Sequence, residues 1–218
     1  MKNLIRKIAR FFIPETVRAI FWKSIPGFHK VNTYILKHPE LIQDLAIIKD
    51  KYFIREVNMD DVERLKLAES YRNAKKFIKK IPPRLKSDAW HGLAVLDKNN
   101  DEIAYIAWVI DKTIPYFEEF GIKMTKGQFL LKDGFCVPKY RHQGLHTRME
   151  QERINFCVRN GANEIFIQIH DANKKGVSSV LNNRYELYQQ NIIILWPVFN
   201  IYRSFKGFLK RPFRKIIK

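Results

Sequence analysis

The chain has 218 residues, 46% of them hydrophobic and 28% charged, with a formal net charge of +18 and only two cysteines, Cys136 and Cys157. That length and apolar content support one domain with a substantial core, and the charge calls for an anionic partner such as nucleic acid, acidic lipid or a phosphorylated ligand. Two cysteines without metal-type spacing argue against a zinc module and a disulfide framework, and no apolar run reaches the roughly 18 residues of a membrane span.

In chain order, "MKNLIRKIARFFI" sets Leu4, Ile5, Ile8, Phe11 and Phe12 at helical spacing among Lys2, Arg6, Lys7 and Arg10. This interleaving is unlike the continuous apolar segment of a secretory signal. "PETVRAIFW" reads as a second helix with Pro14 in its first turn. "IPG" at 25–27 is a breaker, and "HPELIQDLAIIKDK" (38–51) predicts a third helix. A strand is expected over 52–57. A helix follows over 58–80, capped by Asn58 or Asp60 and stopped by Pro82-Pro83. Residues 91–97 and 102–110 read as a β-hairpin around "KNND". Next come a strand over 128–137, a helix over 145–161 closed by Gly161, and a strand over 164–170. A weaker helix over 173–183 and one or two strands over 185–195 end the series. The order β, α, hairpin, β, α, β, α, β predicts a mixed α/β domain over 51–198. It has a basic helical extension over 1–50 and a basic aromatic tail over 199–218.

The junction "VPKYRHQGLHTRM" (137–149) joins a strand to a helix through a basic loop around Gly144. A helix N-terminus presents unpaired N–H groups and positive potential, and a glycine lets the backbone approach phosphate closely. With "EIFIQIHDAN" (164–173) following, the chain resembles the GCN5-related N-acetyltransferase superfamily. That family's diagnostic loop is Gln/Arg-x-x-Gly-x-Gly/Ala; here it reads Arg141-His142-Gln143-Gly144-Leu145-His146, with His146 in the last slot. The resemblance runs over about 52–195 by element order and over 135–173 by motif. It implies a mixed central sheet flanked by helices and the binding of acetyl-CoA or another acyl-CoA without a metal. The backbone of Arg141, His142, Gln143, Gly144, Leu145, His146 and Thr147 would hold the pyrophosphate. The pantetheine arm would lie along Phe135, Cys136 and Val137, with Asn173 orienting it. His146 either crowds the loop or donates to phosphate.

An amine would attack the thioester carbonyl, a backbone N–H stabilising the oxyanion while a base and an acid move protons. The family often places a tyrosine seven residues after the asparagine, where Val180 stands here. Tyr185 is then the candidate acid, and Asp133 on the cofactor strand the candidate base. His91 and His170 are further candidate bases at strand ends. Packing within the core is the competing reading of Tyr185, and a solvated strand edge that of Asp133.

Residues 1–30 carry seven basic side chains against Glu15 alone, and residues 203–218 carry seven against no acid. Both ends interleave these with aromatic and aliphatic residues, a pattern suited to an anionic membrane surface. Nucleic acid is the rival, through phosphate contacts and base stacking. The expected function is N-acylation of an amine, such as one on an amino sugar or envelope precursor, at the inner face of a membrane. Two alternatives are a long-chain acyltransferase fed by acyl carrier protein and a binding module that kept the fold without the chemistry.

Overall fold

A computed structural model of the chain describes residues 27–66, 74–114, 122–196, 201–206 and 216–217. The two helices expected in residues 1–26 lie outside them. Among the described residues, nine strands form one sheet: β1 (Gly27–Lys37), β2 (Tyr52–Glu56), β3 (Trp90–Asp97), β4 (Glu102–Ile110), β5 (Gln128–Cys136), β6 (Glu164–His170), β7 (Glu186–Trp196), β8 (Ile201–Lys206) and β9 (Ile216–Ile217). Their order is β2-β3-β4-β5-β6-β1-β7-β8-β9. Neighbours are antiparallel throughout except β5 and β6, which run parallel. The described helices are α1 (Asp60–Lys66), α2 (Ala74–Ile78), α3 (Ile81–Leu85), α4 (Leu145–Arg159) and α5 (Lys174–Asn182). The mixed α/β class is as expected.

The hairpin β3–β4 is the spine. Residues 103–110 of β4 are all buried, because the strand is covered on both faces. Trp108 and Ile106 are among its fully buried side chains, each contributing roughly 2 kcal/mol by leaving water. One face of the sheet packs Val109, Leu131, Ile165 and Ile169 against Ile154 and Cys157 of α4 and Val180 of α5. The other packs Val31, Ile35, Leu130 and Phe166 against Ile122 and Met124.

Four expectations need correction. Residues 27–37, read as part of a helical extension, form β1, which lies inside the sheet between β6 and β7. Residues 38–51 are not a helix. Side chains of α4 take over the backbone groups that a helix would have paired: Asn155 Oδ1 accepts from Ile42 N at 2.7 Å and its Nδ2 donates to Ile42 O at 3.0 Å. Gln151 Oε1 accepts from Ala46 N at 2.6 Å, and Arg148 Nη1 donates to Ala46 O at 3.2 Å. The region 58–80 begins as expected, with Asn58 and Asp61 bonding each other's backbone N–H groups at 3.2 and 2.9 Å. Its described residues are helical over α1 and α2, but the two prolines fall in the first turn of α3 instead of serving as the stop of what precedes it. That position suits proline, whose missing N–H needs no partner there. Lastly, residues 201–206 and 216–217 of the expected tail extend the sheet as β8 and β9.

Candidate functional site

β5 and β6 are paired only from Gln128 with Glu164 to Leu131 with Ile167. Beyond that register they part, and a cleft of about 730 Å³ opens between them. The parting coincides with an irregularity in β5. Against β4, Phe135 lies opposite Ile106 and Lys132 opposite Trp108, so β5 holds an extra residue at 133–134. Asp133 takes a φ of +33° there. Such a bulge bends a strand and frees its outer edge. Val137 N donates to Ala104 O at 3.0 Å on the β4 side; strand alternation then turns the backbone groups of Cys136 and Gly134 into the cleft.

The mouth of the cleft is the basic loop. Its base is fixed by Tyr140, buried and donating to Glu102 at 2.8 Å, and by Tyr52, whose hydroxyl donates to Gln143 Oε1 at 2.7 Å. The Gln143 side chain therefore serves the loop's attachment. His142 and Gly144 are both left-handed, with φ of 61° and 75°. A Cβ on Gly144 would meet nothing closer than Ile47 O at 3.7 Å, so glycine is favoured here by its backbone conformation and not by crowding. Leu145 is buried and pins the start of α4 to the core. The first amide of α4 with a helical partner is that of Arg148, bonded to Gly144 O at 3.1 Å. The amides of Leu145, His146 and Thr147 have none among the described residues, whereas that of Arg141 donates to Pro138 O at 3.2 Å and is not free for a ligand. The exposed side chains of Arg141, His142, Thr147 and Lys175 stand around this mouth.

Along the proposed cofactor strand, Phe135 and Cys136 line the cleft, while Val137 is buried with its side chain in the core. Phe135 stacks on Phe77 with ring centroids 5.1 Å apart. Burial pushes the Cys136 thiol up to about 11, so it is not an activated nucleophile. Asn173 caps α5, its Oδ1 accepting from Gly176 N at 3.1 Å, and lies on the cleft wall.

Asp133 lies in the cleft, but its carboxylate is held by Arg84 and, at 3.4 Å, by Lys80. Burial alone would raise its pKa; the Arg84 hydrogen bond and the surrounding cations overcome this and hold it below the usual carboxylate range. That makes Asp133 a weak base. Tyr185 is placed elsewhere: 3% exposed, it sits in the core beside α4, outside the cleft lining, and its hydroxyl finds no partner. Burial raises its pKa well above the ordinary tyrosine value. His91 is also outside the cleft lining and pairs with Asp111 at 3.1 Å.

The floor of the cleft holds groups that no motif marked. Tyr105 of β4 reaches His146 Nδ1 at 2.8 Å. Glu150, buried, accepts from Ser179 at 3.3 Å and leaves its Oε1 unpartnered. Arg153, also buried, leaves its Nε unpartnered. The signal was present in α4, where Glu150 and Arg153 share the buried stripe of Met149, Ile154 and Cys157. Charged residues on an apolar helix face are costly unless partnered or used. On the opposite sheet face, Lys132 lies at the parting point, 3.4 Å from Gln168 Oε1. Burial lowers its pKa to about 8.

No protein-family model and no curated protein matches the chain. Solved structures do match. A tandem GNAT protein from the clavulanic acid biosynthesis pathway superposes with a TM-score of 0.57 at 10% identity, over 75% of this chain and 51% of that one. A conserved Staphylococcus epidermidis protein of unknown function gives 0.55 at 12% identity, over 84% and 67%. A GCN5-related N-acetyltransferase from Sphaerobacter thermophilus gives 0.52 at 10% identity, over 82% and 54%. The chain thus spans about half to two-thirds of the length of these structures. With its parallel strand pair parting above a basic loop at a helix start, the chain has the fold of the GCN5-related N-acetyltransferases.

Proposed function

We propose that the protein is an acyl-CoA-dependent N-acyltransferase. The observation that carries this reading is the coincidence of two features at one cleft. A loop of unpaired amides and basic side chains at the start of α4 suits a pyrophosphate. The adjoining β5 edge, bared by the bulge, suits an extended chain with amide groups such as pantetheine. Arg141 and Lys175 supply charge at the mouth, Asn173 Nδ2 remains available to a pantetheine carbonyl, and the thioester falls at the bulge. The acceptor amine then approaches from the Lys132 face. A neutral lysine there would take a proton, whereas Asp133 is committed to Arg84.

The acceptor is an amine, and the charge of +18 favours one on an anionic molecule or at an anionic surface. Among the described residues no helix is long and apolar enough to cross a membrane. Peripheral attachment through the basic ends at an inner membrane face is part of the proposal. The test is release of free thiol from acetyl-CoA in the presence of a panel of amines, amino sugars included. Amine-dependent release is expected. Tight coenzyme A binding without release on any amine would favour a binding module, and absence of both would overturn the reading.

A further inference from the structure

A departing thiolate needs a proton, and the hydroxyls lining the cleft can be sorted by what already occupies them. Tyr140 donates to Glu102. Ser179 donates to Glu150. Thr147 is exposed at the mouth. Tyr105 differs, because its hydroxyl stands over the bulge itself: a methyl group added at Gly134 would overlap it. Among the described residues, the polar side chain hydrogen-bonded to that hydroxyl is His146, whose Nδ1 lies 2.8 Å away. We propose that Tyr105, backed by His146, is the proton donor to the sulfur of the departing coenzyme A. The proposal rests on the acyltransferase reading above.

The groups around the pair suit the task. Burial raises the Tyr105 pKa to about 12, so the phenol is protonated through the neutral range. Arg153 opposes this shift, while Cys136 and Glu150 add to it. Burial lowers the His146 pKa, against Glu150 and with Arg153, so the ring is mostly neutral at pH 7. His146 Nε2 lies 3.7 Å from Glu150, and its side chain is 56% exposed. The ring therefore joins a buried hydroxyl to solvent. The required tautomer carries hydrogen on Nδ1, donates it to Tyr105 Oη, and leaves the phenolic hydrogen free to point at sulfur.

The step balances without a further reactant. The amine nitrogen bonds to the acyl carbon and the carbon–sulfur bond breaks, its electron pair staying on sulfur. Sulfur takes the Tyr105 proton. Tyr105 recovers one from His146 Nδ1 while Nε2 accepts another from water. The nitrogen loses one proton to a base and thence to water, so the count closes.

The test needs no acceptor. Coenzyme A is bound to the full-length protein, and its thiol is titrated by the ultraviolet absorbance of the thiolate, for wild type, Tyr105→Phe and His146→Ala. A hydrogen bond from Tyr105 favours the ionised sulfur. The bound thiol should titrate about one unit lower in wild type than in Tyr105→Phe, with coenzyme A affinity within about threefold. His146→Ala, at an exposed position, should move the value part of the way and serves if Tyr105→Phe does not fold. Equal thiol pKa values in wild type and the folded variants would overturn the proposal, as would a loss of affinity with no change in thiol pKa. Failure of wild type to bind coenzyme A would overturn the acyltransferase reading, and this proposal with it.

Discussion

Arg84 and Asp133 show how single residues hold the cleft in shape. Arg84 is buried, its guanidinium 4.1 Å from the Trp90 ring centre and 5.2 Å from that of Trp108, and it grips the carboxylate of the bulge residue. Replacing Arg84 with methionine keeps much of the packing but leaves Asp133 short of a partner. The carboxylate is partly open to solvent, so we expect a loss of about 2 kcal/mol in denaturant unfolding at pH 7 rather than the larger cost of a fully buried charge. The sign with pH follows. Asp133 has a folded pKa below its unfolded value, so its contribution is present above about pH 4 and lost as pH falls. The gap between wild type and Arg84→Met should therefore narrow in acid; a constant gap would show that the pair is not its source. Tyr185→Phe removes a buried hydroxyl that has no partner. Stability should hold or rise by up to about 1 kcal/mol, and turnover should not fall. A large loss of turnover would return Tyr185 to the chemistry.

At the scale of elements, strand–loop–helix chemistry was legible wherever the local signal was undivided. β3 and β4 read as a hairpin from their apolar runs, the end of β5 and the start of α4 from the proline and the glycine loop, and α5 from Asn173. The failures have a common physical cause: the decisive partner was distant in sequence. Residues 38–51 have helical periodicity, yet Asn155 and Gln151, more than a hundred positions away, bind their backbone. β1 carried a usable signal, "VNTYILK" between Pro26-Gly27 and Pro39, but its polar residues hid a strand that is sandwiched between two others. The pairing of Tyr105 with His146 spans 41 positions and had no local signature. Asn155→Ala should cost about 1–3 kcal/mol, because two backbone groups of Ile42 lose their partner; an unchanged denaturant midpoint would mean that the segment re-pairs freely. Gly144→Ala forces a side chain into a left-handed residue and should cost roughly 1–2 kcal/mol, with Gly144→Asn costing less.

For the whole molecule, the position of β1 sets where the chain can be cut. Removing residues 1–26 leaves every described strand in place, whereas removing 1–37 takes a strand out of the interior of the sheet and exposes Tyr34, Val31 and Ile35 contacts on both faces. The first deletion should unfold cooperatively like the full chain; the second should yield insoluble or unfolded protein. If the basic ends attach the protein to a membrane, the first deletion should also weaken sedimentation with anionic vesicles, most visibly at low salt. Steep salt-dependent retention on RNA or DNA without vesicle preference would instead favour nucleic acid.

The central claim is that the amide-lined loop and the parted strands form an acyl-CoA site. Calorimetric titration of the full-length protein with coenzyme A tests it most directly, in parallel with Arg141→Glu, a substitution at an exposed loop position that reverses charge at the mouth. The account predicts saturable binding by wild type and at least tenfold weaker binding by the variant, since a repelled phosphate loses a charge-assisted contact. No heat of binding in wild type, or equal affinity in both proteins, would contradict it.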